Sequence, residues 1–278
     1  MQSMTVRICS YLLLKRISRI LLFLLMTASA TSAQEYQLID SLRIGSLQKA
    51  SIDKFNNIYL VSQNGGIDKY DINGTLLTHF SPNKPGDVTL IEAWNPLKVF
   101  ALYGDFQECL FLDRFLVAEN RFSLTPISSY IGLATISADN NLWLVDYSDF
   151  SLKKYDLPFG QVTIQRPFDL LLDPNDYDLT FMREYQNLLF LSESSSGILV
   201  FDNLGNYLNS IQEAGIDYFS FFENELYYLK GNVLYFQDIY NHAKREVEIP
   251  KSAHFAFWFD TQLVLVTDHN FLIYAINE

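Results

Sequence analysis

The sequence predicts an all-β fold, a six-bladed β-propeller with four-stranded antiparallel blades. A five-residue apolar core recurs six times, beginning at Ile58, Val99, Leu142, Leu188, Leu226 and Leu263. A period near 40 residues with several short strands per unit is typical of propeller blades. The cores are rich in Leu, Val, Ile, Phe and Tyr, which suit a pleated and half-buried surface, and no stretch keeps a helical period. We therefore expect almost no helix.

The first complete repeat indicates how each blade is built. It contains four predicted strands: Ala50–Asp53, Ile58–Gln63, Ile67–Asp71 and Leu76–Phe80. Its last turn, from Asp71 to Gly74, ends in a glycine that can adopt a positive φ angle, as tight hairpins require. The segment from Glu108 to Asn120 in the second repeat lacks this turn signature, so its outer strands are the least clearly predicted.

The last repeat ends one strand short. It provides three strand candidates between His254 and Asn277, whereas a segment at 36–44 forms a strand candidate without a blade of its own. We predict that residues 36–44 complete the sixth blade, because a closed ring hides the strand edges that an open sheet exposes.

The first 33 residues have the pattern of a secretory signal peptide. Four basic residues precede the apolar run Ile20 to Met26, and small residues follow as far as Ala33. We predict cleavage after Ala33 and a single propeller domain at 34–278. The run is too short to span a bilayer, so we expect no integral membrane span in the mature chain. Cys9 would leave with the peptide, so Cys109 would be the only remaining cysteine and no internal disulfide is expected.

The charge of the chain disfavours two classes of partner. The formal net charge of −12 becomes −16 when the four basic residues of the predicted signal peptide are removed. Such an acidic surface repels phosphate backbones and anionic lipid, so neither nucleic acid nor a membrane surface is expected as a partner.

The blades resemble a known group of propellers. The resemblance lies in the Asn56-Asn57-apolar-aromatic-apolar core and in Tyr70-Asp71-x-x-Gly74, with similar pairs at Tyr155-Asp156 and Phe201-Asp202. On these motifs the chain is similar to the six-bladed propellers of the NHL, SMP-30/gluconolactonase and TolB-like group. The Trp-Asp signature of WD40 blades is absent. SMP-30 lactonases bind a divalent ion in their channel, which the resemblance raises here as a possible Ca²⁺ site.

Propellers bind ligands at the mouth of the central channel, so the loops there carry the candidate residues. Oxygen ligands for a hard cation come from Asp105, Asp146, Asp149, Glu193 and Asp268. The other candidates for the binding face are Gln63, Asn64, Tyr103, Tyr147 and His269. Eight charged residues near the ends of the predicted inner strands could line a mouth of the channel: Lys49, Asp53, Glu92, Asp139, Arg183, Glu184, Glu223 and Asp260. Asp53, Asp139, Glu223 and Asp260 lie beside the turn into the second strand and are expected at the opposite end, although spacing alone does not decide between the two ends.

No catalytic set emerges from the sequence: there is no Gly-x-Ser-x-Gly elbow, and the four histidines lack metal-ligand spacing. Aromatic residues crowd the last two repeats, where they either pack between blades or form an exposed patch for a partner. We expect an exported, non-enzymatic platform, monomeric, for a protein partner or a ligand in the cell envelope, periplasmic or outer-membrane-associated, or secreted. The alternatives are a divalent-metal-dependent hydrolase of the SMP-30 type and a glycan-binding module.

Overall fold

The chain folds into six four-stranded antiparallel sheets arranged in a ring, as predicted. This computed structural model describes residues 35–277, and the predicted signal peptide with its cleavage site after Ala33 lies outside that range. The only helical element in the described residues is one 3₁₀ turn, Gly104–Phe106. No helix among these residues is long and apolar enough to cross a membrane.

The strands form the six blades in chain order, except that the first strand belongs to the last blade. Strand β1 is Glu35–Arg43. Blade 1 contains β2 (Leu47–Ile52), β3 (Ile58–Ser62), β4 (Ile67–Tyr70) and β5 (Leu76–Phe80). Blade 2 contains β6 (Leu90–Glu92), β7 (Val99–Tyr103), β8 (Glu108–Leu112) and β9 (Ala118–Ser123). Blade 3 contains β10 (Ile131–Ile136), β11 (Leu142–Asp146), β12 (Ser151–Asp156) and β13 (Gln161–Pro167).

The remaining blades repeat the arrangement. Blade 4 contains β14 (Leu179–Tyr185), β15 (Leu188–Glu193), β16 (Gly197–Asp202) and β17 (Tyr207–Ile211). Blade 5 contains β18 (Phe219–Phe222), β19 (Glu225–Lys230), β20 (Val233–Asp238) and β21 (Lys244–Glu248). Blade 6 contains β22 (Phe255–Trp258), β23 (Gln262–Val266) and β24 (Asn270–Asn277), with β1 as its outer strand.

Strand β1 connects the two ends of the described chain. It lies beside β24 in the sheet order β1-β24-β23-β22. The ring of Tyr36 meets that of Tyr274 edge to face at 6.4 Å, and Ile44 N–H donates to His269 O at 2.9 Å. Leu42 packs beside Gly74, in the last turn of blade 1. The segment predicted to complete the sixth blade therefore contacts both blade 6 and blade 1.

The recurring apolar cores form the second strand of every blade and are the most buried part of the fold. All five residues of β7 and of β11 are buried, and the Trp143 side chain is fully enclosed. Strands buried on both faces read as continuous apolar runs rather than as alternating ones. The cores were visible in the sequence because each is sandwiched between two neighbouring blades.

The predicted weak point, the outer half of blade 2, forms normal strands through an unexpected residue. Asp113 accepts backbone N–H bonds from Phe115 and Val117 at 2.8 Å, as Asp71 does from Asn73 and Thr75 in blade 1. The position that Gly74 occupies in blade 1, with φ of 81°, is taken here by Leu116 with φ of 61°. Leu116 is buried, so packing outweighs the cost of a left-handed backbone.

Candidate functional site

A buried arginine lies across the central channel. Arg183 on β14 donates from Nε to Glu92 Oε2 on β6 at 2.5 Å, and from a terminal nitrogen to Ser51 Oγ on β2 at 3.0 Å. Its other terminal nitrogen lies 3.5 Å from Ser220 Oγ on β18. Arg183 is 0% exposed and Glu92 only 3%. One side chain thus joins the inner strands of four blades.

The charged layer divides the channel into two cavities. Side chains two residues apart on a strand point to the same side, so the residues two positions earlier form the next layer along the axis. These residues are Lys49, Leu90, Phe181 and Tyr218, and all four line a cavity of about 350 Å³. We call it the mouth cavity. Asp268 and Gly215, which also line it, place it at the face of the blade-to-blade connections and of the loops between second and third strands. The predicted binding face is that same face.

Bulges in the inner strands aim additional side chains into the mouth cavity. In blade 1, Leu47 pairs with Ser62 and Lys49 with Val61, which leaves Gln48 as an extra residue. Thr180 is the extra residue of blade 4. Both side chains line the cavity. β-Bulges commonly redirect a side chain next to a binding site.

The corresponding bulge in blade 3 contributes no polar group. Its extra residue is Gly132, and a Cβ atom there would lie 2.2 Å from the ring of Tyr147. The Tyr147 ring occupies this space and packs between Tyr130 and Tyr177, with ring centroids at 5.7 and 5.2 Å. Among these three bulges, only those of blades 1 and 4 therefore contribute polar side chains to the mouth cavity.

Three polar groups of the mouth cavity lack a partner within residues 35–277. The hydroxyls of Thr180 and Tyr218 are buried and make no hydrogen bond of normal geometry, although Ser220 lies near that of Tyr218. Lys49 Nζ takes part in none of the ion pairs or side-chain hydrogen bonds described for this range. Burial lowers the pKa of Lys49, and the nearby charge of Asp217 partly offsets this. Burial also raises the pKa of Tyr218, so its hydroxyl stays protonated and able to donate.

Aromatic rings form one wall of the cavity. Tyr218 contacts Phe181 with ring centroids 4.8 Å apart and meets Phe255 edge to face at 5.1 Å. The three rings belong to blades 4, 5 and 6. The other crowded aromatics of the last two blades, such as Phe219, Tyr227 and Phe257, are buried rather than exposed. The predicted alternative of an exposed aromatic patch is therefore wrong for these rings, because they fill the space between blades.

The cavity at the opposite end of the channel has fewer free polar groups. It measures about 380 Å³ and includes Glu92, Glu184 and Tyr185. Glu184 accepts from the indole N–H of Trp143 at 2.5 Å and from Ala138 N–H at 3.0 Å. Tyr185 donates its hydroxyl to Glu223 O at 2.6 Å, and Glu92 is paired with Arg183. We therefore place the candidate site in the mouth cavity.

The five predicted cation ligands do not meet at one point. No three His, Cys, Asp or Glu side chains within residues 35–277 are arranged to hold a metal ion. Asp146 and Asp149 come together, but Lys153 Nζ lies between them at 2.5 and 2.6 Å. An ammonium thus stands where these two carboxylates would bind a cation. Lys153 and Ser128 lower the pKa of Asp146 against the effect of burial.

The other three predicted ligands are separate. Glu193 accepts hydrogen bonds from Ser195 and Ser196, which lower its pKa despite burial. Asp268 pairs with His254 Nε2 at 2.7 Å at the edge of the mouth cavity, and Asp105 is exposed in the 3₁₀ turn. A calcium site built from these residues has no common centre in the described part of the chain.

The residues predicted for the binding face lie around the mouth cavity rather than in its wall. Gln63 and Asn64 are exposed in the turn between β3 and β4, and His269 is exposed between β23 and β24. Tyr103 is 2% exposed and stacks on Phe106 at 6.1 Å. Tyr147 occupies the bulge of blade 3. They remain predictions for a larger partner that would extend beyond the cavity.

Sequence reasoning placed eight charged residues near the channel. Of these, Lys49 lines the mouth cavity, Glu92 and Arg183 form the charged layer, and Glu184 lines the opposite cavity. It did not place Gln48 or Thr180 there, and it considered Phe255 only as one of the crowded aromatic residues. The signal for the first group was a charged residue inside an apolar inner strand. Gln48 and Thr180 left no such signal, because a bulge breaks the period of two on which strand faces are assigned.

Comparison with known proteins supports the fold but no particular family or function. No family model and no curated protein matches the chain. Virginiamycin B lyase from Staphylococcus aureus has a similar structure, with a TM-score of 0.62, 10% identity and coverage of 87% of this chain and 100% of that one. The Pan2 WD40 domain of Neurospora crassa gives 0.57 and 9% identity over 89% of this chain and 97% of that one.

An extracellular domain is also among the similar structures. It belongs to a putative hybrid two-component system of B. thetaiotaomicron, with a TM-score of 0.55, 14% identity and coverage of 82% of this chain and 33% of that one. Identities this low show the propeller architecture alone. The chain is therefore a six-bladed β-propeller whose ligand must be argued from its own residues.

Proposed function

We propose that this chain is an exported propeller that binds a ligand in the mouth cavity without chemically changing it. The ligand is either a small molecule or an exposed end of a protein partner in the cell envelope. The observation that carries the proposal is the mouth cavity itself. It has an aromatic wall, it lies one layer above Arg183 and Glu92, and it is lined by polar residues without hydrogen-bond partners in the described part of the chain.

The size and chemistry of the cavity support binding. Ligand pockets of proteins commonly enclose about 300 to 1,000 Å³ and combine apolar walls with a few oriented polar groups. A buried hydroxyl without a partner costs about 1 to 3 kcal/mol, which a ligand that supplies the partner recovers. The polar lining therefore favours an occupied state.

Export is supported by the signal-peptide pattern of residues 1–33 and by the likeness to an extracellular propeller domain. When the full chain is expressed in a bacterial host and recovered from outside the cytoplasm, the expected amino terminus is Gln34. N-terminal sequencing checks this. A chain that keeps Met1 in the cytoplasm would contradict export.

Ligand binding is tested by filling the cavity. We expect ligand-observed NMR with a panel of neutral and charged small molecules and oligosaccharides to identify binders of the purified protein. Thr180→Phe should abolish their binding, because the larger ring occupies the cavity. The matched control is Ala138→Phe, which adds a ring to the opposite cavity and should leave binding intact. Binding that survives Thr180→Phe would contradict the proposed site.

One observation favours a second candidate, an enzyme. His254 and Asp268 form a hydrogen-bonded pair at the edge of the cavity, and such a pair can transfer protons. Chemical conversion of a bound panel compound that His254→Asn abolishes would favour it. The resemblance to the NHL, SMP-30 and TolB-like group keeps the metal-dependent hydrolase and the glycan module as further proposals. Elemental analysis and the oligosaccharides of the panel test them.

A further inference from the structure

We propose that the mouth cavity recognises a single terminal carboxylate attached to an apolar or aromatic body, with Lys49 as its counter-ion. This inference rests on the proposed function and specifies the ligand class of the same site. It applies equally to a free carboxylic acid and to the C-terminus of a peptide.

Lys49 is the first part of the argument. It lies on β2, two residues before Ser51, so its side chain points into the channel one layer above Arg183. It is partly withdrawn from water, and no ion pair or side-chain hydrogen bond engages it within residues 35–277. The buried cation of the layer below, Arg183, has Glu92 as its partner. Burial lowers the pKa of Lys49 although the charge of Asp217 opposes this, so the ammonium is incompletely compensated, and a ligand anion in direct contact would stabilise it.

The neighbouring hydrogen-bond donors fit a carboxylate. Within residues 35–277, Thr180 has a buried hydroxyl without a partner, and the Tyr218 hydroxyl, which lies near Ser220 and Arg183, also makes no hydrogen bond of normal geometry. Gln48 accepts from Val88 N–H through Oε1 at 3.1 Å, which leaves its amide NH₂ free to donate. A carboxylate has two oxygens with about four lone-pair sites, enough for an ammonium and several neutral donors. Charge-assisted bonds of this kind are stronger than neutral ones.

The rim of the cavity limits the charge of the ligand. Asp217 and Asp268 line it and already accept bonds from Ser194 and His254. Their negative charges repel a second anionic group, as does the net charge of −12 on the whole chain. A monocarboxylate is therefore favoured over a phosphate or a dicarboxylate.

The aromatic wall defines the rest of the ligand. Phe181, Tyr218 and Phe255 pack against one another and all three line the cavity. Rings of this kind favour offset-stacked or edge-to-face contacts with an aromatic body. An acid with a phenyl group one or two carbons from the carboxylate suits both parts of the site.

The test compares ligands that differ only in charge. The probes are 3-phenylpropionate, 3-phenylpropanamide and 3-phenylpropylammonium, together with the peptide Gly-Gly-Gly-Phe with a free and with an amidated C-terminus. We expect the acid to bind about 10- to 100-fold more tightly than its amide by calorimetry. Tight binding of the free peptide would assign the site to a protein C-terminus, and binding of the acid alone would assign it to a small molecule.

Variants distinguish an effect of Lys49 on ligand preference from an effect on folding. Lys49→Met should remove the preference for the acid, Lys49→Arg should retain most of it, and Thr180→Val or Tyr218→Phe should reduce it. The matched control is Lys54→Met, which removes the same charge from an exposed lysine of blade 1 beyond the other end of β2. Melting temperature checks that each variant folds.

The outcomes distinguish the two proposals. Equal binding of acid and amide, or an unchanged preference in Lys49→Met, overturns the carboxylate inference and leaves ligand binding intact. If other panel compounds bind but none of these probes does, the carboxylate inference is likewise wrong and ligand binding stands. If no compound binds the mouth cavity, both the inference and the proposed function are wrong.

Discussion

At the residue scale, the Arg183–Glu92 pair is the contact in the channel whose loss should lower the free energy of unfolding most. Each of its groups is buried and fully engaged: Glu92 also accepts from Trp94 N–H at 2.7 Å, and Ser51 from Ala93 N–H at 3.2 Å. Burying such a pair costs desolvation of both ions, whereas removing one partner leaves an uncompensated charge. The pair therefore sets the geometry of the channel one layer below the mouth cavity.

Breaking this pair should destabilise the protein more than breaking a surface pair. We expect Glu92→Gln to lower the free energy of unfolding by about 3 to 5 kcal/mol, and the double variant Glu92→Met with Arg183→Met to recover most of that loss. The control is Glu225→Gln, which breaks the partly exposed pair with Arg245 and should cost no more than about 1 kcal/mol. Urea unfolding measures all three. A cost at Glu92 no larger than that at Glu225 would contradict a structural role.

Cys109 provides a second prediction at this scale. It is 0% exposed on β8, and burial raises the pKa of its thiol. Since the thiolate is the reactive form, we expect no reaction with Ellman's reagent in the folded protein and rapid reaction in urea. Stoichiometric labelling under native conditions would show that blade 2 opens locally. The strand-like run Cys109-Leu110-Phe111-Leu112 in the sequence predicts a core position for Cys109, and its burial confirms that prediction.

At the element scale, the outer strand β1 belongs to a blade formed by the other end of the chain. Such long-range pairing protects the edge of β24 that would otherwise be open to water and to other chains. Its contacts with Tyr274 on one blade and with the Gly74 turn on another link β1 to two blades, although most of its residues are exposed.

Removal of β1 should therefore unfold more than one blade. We expect a chain that begins at Gly45 to lose its cooperative thermal transition and to aggregate, because the edge of β24 becomes exposed. Circular dichroism melts and gel filtration measure this. A synthetic peptide of residues 34–44 added in trans should restore the transition. A truncated chain that melts like the full protein would contradict the importance of this strand.

At the scale of the whole molecule, buried tyrosines make the fold sensitive to alkali. Burial raises the pKa of Tyr36 and Tyr228 to about 12, and raises those of Tyr59, Tyr147 and Tyr218 as well. In the unfolded chain these hydroxyls titrate near 10. Above that pH the unfolded state releases protons that the folded state retains, so stability falls as pH rises.

We therefore expect the contribution of the buried tyrosines to the free energy of unfolding to be fully present below about pH 10. It should be lost progressively between about pH 10 and 12. Tyrosinate absorbance should rise together with the loss of β-sheet circular dichroism, since unfolding is what allows these groups to ionise. Tyrosinate absorbance that reaches its plateau well before the loss of structure would contradict burial of these hydroxyls.

Much of the architecture was predictable because it is repetitive. The third and fourth strands of blade 1 and the fully buried second strands follow from the period of two, from the continuous apolar cores and from Asp-x-x-Gly turns. The outer turn of blade 2 could not be recognised in the sequence, because Leu116 occupies the position that glycine takes in the other Asp-x-x-Gly turns. Burial of Leu116 outweighs the cost of its positive φ angle. The candidate site was predicted only in part, since Lys49 was visible as a charge on an inner strand and Thr180 was not.

The sequence by itself determined the number of blades, the positions of the buried strands and the charge of the surface. Each of these depends on neighbours along the chain or on composition. The tertiary structure alone decided that Arg183 lies across the channel, that Lys49 has no partner within residues 35–277, and that Lys153 lies between Asp146 and Asp149. The Arg183 contacts join different blades, and the surroundings of Lys49 depend on a bulge. The Lys153 contacts lie within blade 3 and depend on side-chain directions that the repeat pattern does not state. A repeat pattern states which strands pair within a blade, but only the closed ring brings inner strands together across its axis.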